Sequence, residues 1–289
     1  MSRKKSIIKI LLVFLLLGIA LGLMVYPFIA NYIFENRADS IVSVLEQSAQ
    51  DTDNTEWKTA IEQAEEYNHV LASGHIQLKD PFIEEKPGET AGDYDSLLCM
   101  TDDGVMGFIE IPSIDLSLPI YHGTSEQVLE MGAGHLQGTS LPVGGESTHT
   151  VLTGHTGLSS AKLFTDLAEL EKEDIFFLKV MGKKLAYKVD QIKVVLPSEL
   201  DDLRVERGKD YCTLITCTPY GVNTHRLLVR GKRTENQETL GDAATFQGKK
   251  VESKWMEEYK RALLISLGCF IGLMVLFLIK RHQNCMRSL

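Results

Sequence analysis

The chain has 289 residues, and its 30 Lys and Arg against 39 Asp and Glu give a formal net charge of -9. It contains no basic stripe with interleaved aromatic residues, which argues against a nucleic-acid partner. Its five cysteines form no C-x-x-C pair and no His/Cys cluster with metal-binding spacing, so neither a metal site nor a cofactor is predicted.

The N-terminal segment predicts a membrane anchor. Basic residues at positions 3–5 precede an almost uninterrupted apolar run from Ile10 to Val25. A helix needs about 20 apolar residues to cross a bilayer, so residues 1–30 are assigned as an N-terminal transmembrane anchor. A cleaved signal peptide is the main alternative, but the run is long for a signal and no clean small-x-small cleavage site lies directly before Tyr26 and Pro27.

A second apolar run goes from Ala262 to Ile279 and has basic residues on both sides. It predicts a C-terminal transmembrane helix over 261–281, followed by a cytoplasmic tail over 282–289. The basic N-terminus predicts that this end is cytoplasmic, and two spans return the C-terminus to the same side of the cell membrane. The segment between the spans is therefore predicted to be extracellular. A buried core helix is the alternative for either run.

Residues 31–92 are predicted to be an extracellular helical region that ends in a long loop. Apolar residues spaced by three and four predict amphipathic helices over Ile33–Ser48 and Trp57–Ala72. From Gly74 to Gly92 the composition changes to Gly, Pro, Lys and Glu. Loops longer than about 12–15 residues are uncommon in compact domains unless they have a function.

From Val105 onward the sequence is typical of β-strands. The segments, rich in Val, Ile, Leu and aromatic residues, are VMGFIEI, LSLPIY, HTVLTG, DIFFLKV, KLAYKVDQIKVVL, YCTLITC and RLLVRGKR. Seven or eight strands with only short helices between them predict a mainly β domain over 93–234, built as a closed or nearly closed barrel. Residues 235–260 are polar and are predicted to link this domain to the second span.

Cys217 and Arg226 stand at two strand ends joined by a turn. If the two strands pair as a hairpin, their Cα atoms lie about 5 Å apart. A cationic neighbour raises the thiolate fraction of a cysteine, and a guanidinium can donate hydrogen bonds to an oxyanion. The alternatives are a buried, inert thiol and a surface ion pair.

A cysteine nucleophile usually works with a histidine. His155 ends the strand VLTGH between Gly154 and Gly157, whose freedom allows a tight bend. His225, beside Arg226, is the strongest rival. His122, His135 and His149 are weaker candidates.

These residues resemble the sortase family of membrane-anchored cysteine transpeptidases. TLITC, the arginine nine residues after its cysteine and the earlier TGH carry the resemblance, which runs from about Val105 to Arg233. The form T-L-x-T-C followed by PYGVNTHRLLVRG resembles the pilin-polymerising class C of Gram-positive pilus assembly, and the second span fits that class. The resemblance implies a sortase-like closed β-barrel of about eight strands.

The resemblance also implies roles for three residues. Cys217 would attack the Thr-Gly bond of a Leu-Pro-x-Thr-Gly-type sorting signal and form a thioester. His155 would protonate the departing amine and deprotonate the incoming one, while Arg226 would hold the oxyanion. The implied partners are pilin or surface proteins that carry a sorting signal, with a lysine amine of a second pilin as acceptor.

Class C sortases carry a lid with an Asp-Pro-aromatic motif, and Asp80-Pro81-Phe82 matches it. By similarity, Asp80 would approach Arg226 and Phe82 would cover Cys217. The alternative is that Asp-Pro only forms a turn.

Three other functions stay open at this point. A housekeeping-type sortase would attach surface proteins to peptidoglycan, a papain-like peptidase would hydrolyse peptides, and a membrane-tethered adaptor would have no catalytic activity. Cys99 and Cys212 are expected to stay reduced.

Overall fold

The computed structural model describes residues 2–51, 55–74, 78–82, 94–99, 101, 104–158, 160–234 and 254–286. The chain divides into two compact units. One comprises Met1–Tyr32 with Glu252–Leu289, and the other comprises Ile33–Val251. Most of the loop predicted over 74–92, and most of the linker predicted over 235–260, lie outside the described residues.

The first unit consists of two apolar helices. Helix α1 (Ser2–Asp51) begins in it, and the last helix of the chain, Lys254–Met286, completes it. Both helices are long and apolar enough to cross a membrane, and the most apolar part of each is not buried within the protein. The hydroxyl of Tyr259 donates a hydrogen bond of 2.6 Å to the backbone oxygen of Met24.

In the second unit, the end of α1 and helix α2 (Thr55–Ser73) pack beside a β-barrel. The helix predicted over 33–48 is not a separate element, because α1 continues into it without a break. No Gly or second Pro follows Pro27 to end that helix. The predicted apolar face of α2 is correct: Ile61, Ala64 and Leu71 are buried.

Eight strands form a closed barrel, as predicted. They are β1 (Val105–Ile111), β2 (Leu116–His122), β3 (Ala133–His135), β4 (Thr148–Thr153), β5 (Ile175–Val180), β6 (Lys183–Val195), β7 (Asp210–Thr218) and β8 (His225–Thr234). Their order around the barrel is β1-β2-β3-β4-β7-β8-β6-β5, and pairing of β1 with β5 closes it. Large apolar side chains, including Phe176 and Tyr187, fill the core.

Strand β3 was not predicted. It has only three residues, one of them Gly134, and therefore lacks the alternation that marks a strand in sequence. Its extended conformation depends on the neighbouring strands, because it pairs in parallel with β2 and antiparallel with β4. The short helix α3 (Glu126–Met131) connects β2 to β3.

The direction of two strands positions the candidate site. Strands β4 and β7 pair in parallel, with Thr153 opposite Ile215. Both strands therefore run toward the same end of the barrel, where Cys217 lies near the end of β7 and His155 lies two residues beyond β4.

Candidate active site

Cys217 and Arg226 are directly paired residues of the β7–β8 hairpin, as the spacing predicted. Cys217 is half-buried, whereas Arg226 is only 6% exposed. The Nη1 group of Arg226 donates hydrogen bonds of 3.1 Å each to the backbone oxygens of Asn223 and His225. The hairpin loop thus holds the guanidinium beside the thiol.

His155 lies two residues beyond β4 and is fastened to the strand that carries Cys217. The backbone N–H of Gly154 donates to the oxygen of Ile215 at 3.1 Å, and the hydroxyl of Thr216 donates to the oxygen of Gly154 at 2.7 Å. The two chain segments that carry the candidate dyad are therefore held in a fixed register.

The two glycines around His155 serve different needs. Gly157 has φ +78, so it supplies the left-handed backbone expected of a tight bend. Gly154 instead provides space, since a Cβ atom there would lie 2.7 Å from ring carbons of Phe164. The Phe164 ring thereby packs directly under the backbone that precedes the histidine.

Asp80 forms a bidentate ion pair with Arg226, as the resemblance implied. Nε of Arg226 donates to Oδ1 of Asp80 at 2.9 Å, and Nη2 donates to Oδ2 at 2.6 Å. The two side chains are 3% and 7% exposed. Such a fork-to-fork arrangement is the strongest common form of a charged hydrogen bond.

Phe82 contacts two of the candidate catalytic residues, His155 and Arg226. Its ring centroid is 5.8 Å from that of His155 and 4.9 Å from the guanidinium carbon of Arg226. Leu78 and Phe82 also pack against an apolar cluster that includes Ile215 and Leu228. Pro81 is buried. Residues 78–82, named the lid here, thus cover the imidazole and the guanidinium that flank Cys217.

The lid changes the electrostatics of the thiol. Burial raises the pKa of Cys217, the positive charge of Arg226 lowers it, and the negative charge of Asp80 raises it, with a net increase. Burial disfavours the charged form of Arg226, but its hydrogen bonds to Asp80 prevail and its pKa is raised. Burial, with a contribution from Asp80, thus favours the thiol form of Cys217 over the thiolate.

Comparison with known proteins decides the family. The family described as Sortase domain matches residues 109–234. The solved structure of sortase C from Streptococcus pneumoniae is 42% identical, covers 68% of this chain and 96% of its own, and has a TM-score of 0.61. The chain belongs to the sortase family.

A second solved structure supports the class. Sortase C-1 of Actinomyces oris is 50% identical, with 61% of this chain and 97% of that chain covered and a TM-score of 0.58. This protein is accordingly a class C sortase, a family of cysteine transpeptidases. Sortase A of Bacillus anthracis is 33% identical over 127 residues, and the match spans only 59% of that relative's length.

The other candidate histidines of the barrel make structural contacts in this sortase. Both ring nitrogens of His122 face backbone oxygens, those of Gly104 and Leu97, at 2.9 and 2.7 Å. His135 is fully buried, and burial lowers its pKa to about 4. His149 contacts the oxygen of Arg204 and the hydroxyl of Thr213. None of these arrangements leaves an imidazole available for proton transfer to a substrate.

His225, the strongest rival to His155, lies at the start of β8 opposite Thr218. Its Nδ1 atom is 2.9 Å from the hydroxyl of Thr224 within the hairpin loop. Cys99 is exposed and Cys212 is buried.

One residue of this site escaped the sequence analysis. Nε2 of His155 lies 3.3 Å from Oε2 of Glu126, at the start of α3. The only local signal was Ser125, whose hydroxyl accepts a hydrogen bond from the N–H of Val128 and caps that helix. The contact itself depends on β3, the strand that sequence reasoning missed.

Proposed function

We propose that this class C sortase cleaves a Leu-Pro-x-Thr-Gly-type sorting signal and joins it to a lysine amine of a second pilin during pilus assembly. The observation that carries the proposal is the pairing of Cys217 with Arg226 across one hairpin, beside His155 and beneath a lid that engages Arg226. Sortase C of S. pneumoniae, which has a pilin substrate specificity, is similar over 96% of its length.

In the first half of the reaction, the Cys217 thiolate attacks the threonine carbonyl carbon of the sorting signal. Arg226 donates hydrogen bonds to the oxyanion that develops there. As the C–N bond breaks, the glycine amine departs with a proton from the His155 imidazolium, and a thioester to Cys217 remains.

In the second half, the acceptor lysine amine attacks the thioester carbon and gives its proton to His155. The C–S bond breaks, and Cys217 leaves as a thiolate beside the reformed imidazolium. The product is an isopeptide bond, and no proton or electron is gained or lost overall. The proposed catalytic residues are thus His155, Cys217 and Arg226.

The lid is proposed to be a gate. In the closed state Asp80 occupies two donors of Arg226, so these donors are unavailable to an oxyanion. Phe82 covers the imidazole in the same state. Opening of the lid therefore has to precede thioester formation.

The proposed membrane arrangement places both termini in the cytoplasm and the catalytic barrel outside the cell. Two helices that could cross a membrane support it, together with the basic residues before the first. The segment boundaries proposed above are retained: 1–30, 31–92, 93–234, 235–260, 261–281 and 282–289.

The test uses the full chain in detergent with a Leu-Pro-x-Thr-Gly-type peptide and a lysine-containing pilin peptide. Mass spectrometry measures the thioester on Cys217 and the isopeptide product. The variants are Cys217→Ala, the lid variant Asp80→Ala/Phe82→Ala, and Cys99→Ala as a matched control that removes another accessible thiol. Product is expected in the wild type and in Cys99→Ala, more in the lid variant and none in Cys217→Ala.

The outcomes separate the alternatives. A thioester that is resolved only by a cell-wall peptide amine would identify a housekeeping-type sortase. Unchanged product in Cys217→Ala would remove the nucleophile from the proposal. A folded lid variant that forms no adduct with any sorting peptide would favour a membrane-tethered adaptor.

A further inference from the structure

Glu126 is held at a defined place beside the catalytic histidine. It is the first residue of α3, directly after the capping residue Ser125. Leu129 of the same helix is 1% exposed and fixes α3 to the barrel core. The Glu126 carboxylate is therefore presented by a short, anchored element and not by a free loop.

The contact between Glu126 and His155 is one of charge. Oε2 of Glu126 lies 3.3 Å from Nε2 of His155, and the side chains are 59% and 16% exposed. The two atoms are not aligned for a hydrogen bond, so Nε2 is buried without a hydrogen-bond partner while it touches a carboxylate.

We propose that Glu126 is a positioning residue that directs Nε2 of His155 toward α3, leaving Nδ1 for proton exchange at the site. The inference rests on the proposed function, because it concerns the histidine of that reaction. It assigns to Glu126 the part that a carboxylate plays toward the histidine of other catalytic sites, namely orientation of the ring without direct proton transfer.

Among the described residues, two other charged side chains are near this part of the site. Arg226 contacts the Phe82 ring, which in turn contacts His155, and the charge of Arg226 is balanced by Asp80. Lys162, in the loop after His155, donates to the oxygen of Ile114 and pairs with Asp166. Glu126 is thus the carboxylate in described contact with the ring.

This arrangement has a kinetic consequence. Loss of the Glu126 carboxylate removes the contact that holds Nε2 of His155 toward α3, so Nδ1 is less often placed for proton exchange. Thioester formation should therefore become slower, whereas binding of the sorting peptide should change little.

The test compares Glu126→Gln, Glu126→Asp and Glu130→Gln in the full chain in detergent. All three are made in the Asp80→Ala/Phe82→Ala background, so that lid opening does not limit the rate. Glu130 is exposed on the same helix and has no described contact with His155, so its variant changes net charge equally. Single-turnover thioester formation is measured at several concentrations of the sorting peptide, which separates the chemical step from binding.

We expect the chemical step of Glu126→Gln to be slower by about three- to tenfold, with little change in binding of the peptide. Glu126→Asp should recover part of the rate, and Glu130→Gln should match the parent. A Glu126→Gln rate that equals that of Glu130→Gln, or a loss confined to peptide binding, would overturn the proposal.

A second readout does not depend on turnover. The His155 ring resonance is followed by NMR of histidine-labelled protein and assigned with a His155→Asn variant. At one fixed pH its chemical shift should change in Glu126→Gln and stay in place in Glu130→Gln, and equal chemical shifts in the two variants would overturn the proposal. A parent without thioester but with the expected NMR shift would reject the proposed reaction while leaving the Glu126–His155 coupling supported.

Discussion

Asp80 and Arg226 are 146 positions apart in the chain, yet they form a buried ion pair with two parallel hydrogen bonds. The same strand repeats this geometry four residues later, where Arg230 holds Asp190 with bonds of 3.0 and 2.8 Å. The first pair engages the proposed oxyanion donor, and the second lies away from it. Strand β8 therefore carries both the pair proposed to act in the lid and a second pair of the same geometry that can serve as an experimental control.

The first prediction concerns the lid. Asp80→Asn should open it, because the amide keeps the shape of the side chain but loses the charge that pairs with Arg226. Trypsin should then cleave after Lys79 at least several-fold faster, as measured by mass spectrometry of the fragments. Lys86, the other basic residue nearby, precedes a proline and should not be cut. Asp190→Asn should leave cleavage at Lys79 unchanged, and equal acceleration in both variants would refute a specific latch.

The second prediction concerns the pH dependence of the thiol. Burial and the charge of Asp80 both raise the pKa of Cys217, so its alkylation by iodoacetamide should rise with pH along a curve displaced to high pH. In Asp80→Asn both contributions weaken, and the curve should move to lower pH. Cys99 in the same sample is the internal reference, and its alkylation should not differ between variants. A curve for Asp80→Asn that moves to higher pH or does not move would contradict this account.

The third prediction tests the backbone before His155. Gly154→Ala would push a methyl group against the Phe164 ring, at 2.7 Å from its carbons. Overpacking of this kind costs about 1–3 kcal/mol, and displacement of His155 should reduce thioester formation more than it reduces substrate binding. Gly74→Ala is the matched control, since its methyl group would meet only ordinary contacts at 3.7 Å or more. Wild-type activity in Gly154→Ala would show that the ring can move aside.

The fourth prediction concerns the docking of α2. The Asn68 side chain accepts from the N–H of Leu141 at 2.7 Å and donates to its oxygen at 3.1 Å. Asn68→Ala leaves that buried N–H without this partner, which should lower the free energy of unfolding by about 1–3 kcal/mol. Gln63→Ala, at an exposed position of the same helix, should change it little.

Urea denaturation followed by Trp57 fluorescence measures this effect, because Trp57 lies on α2 and packs against the core. The urea concentration at the midpoint of unfolding should be lower in Asn68→Ala than in the wild type and unchanged in Gln63→Ala. An equal midpoint in both would mean that packing alone secures α2.

Local patterns in the sequence were enough to predict most of the barrel, because its longer strands carry dense apolar and β-branched residues. β3 was out of reach, since three residues around Gly134 have no pattern of their own and pair only because β2 and β4 flank them. The continuous α1 was also missed, because a change from uniformly apolar to amphipathic composition at about residue 33 does not require a break in the helix.

The candidate site likewise contains residues whose proximity could be predicted from the sequence and residues whose proximity could not. Cys217 and Arg226 were predictable as neighbours because a hairpin converts sequence distance directly into spatial distance. His155 needed the resemblance, since its approach depends on the parallel pairing of β4 with β7, which no local pattern reveals. The contact of Glu126 with His155 could not be predicted either. It joins α3 to the loop after β4, and these two segments are brought together by the pairing of β3 with β2 and with β4.

The position of the lid in the chain bears on biosynthesis. Residues 78–82 precede Cys217 by well over a hundred residues, and proteins are made from the N-terminus. When the last two strands complete the barrel and bring Arg226 into place, the aspartate that engages it already exists. If the proposed roles hold, the proposed nucleophile is assembled together with the lid, and a newly made protein need never pass through a stage in which an uncovered thiol is open to oxidants or to the wrong peptide.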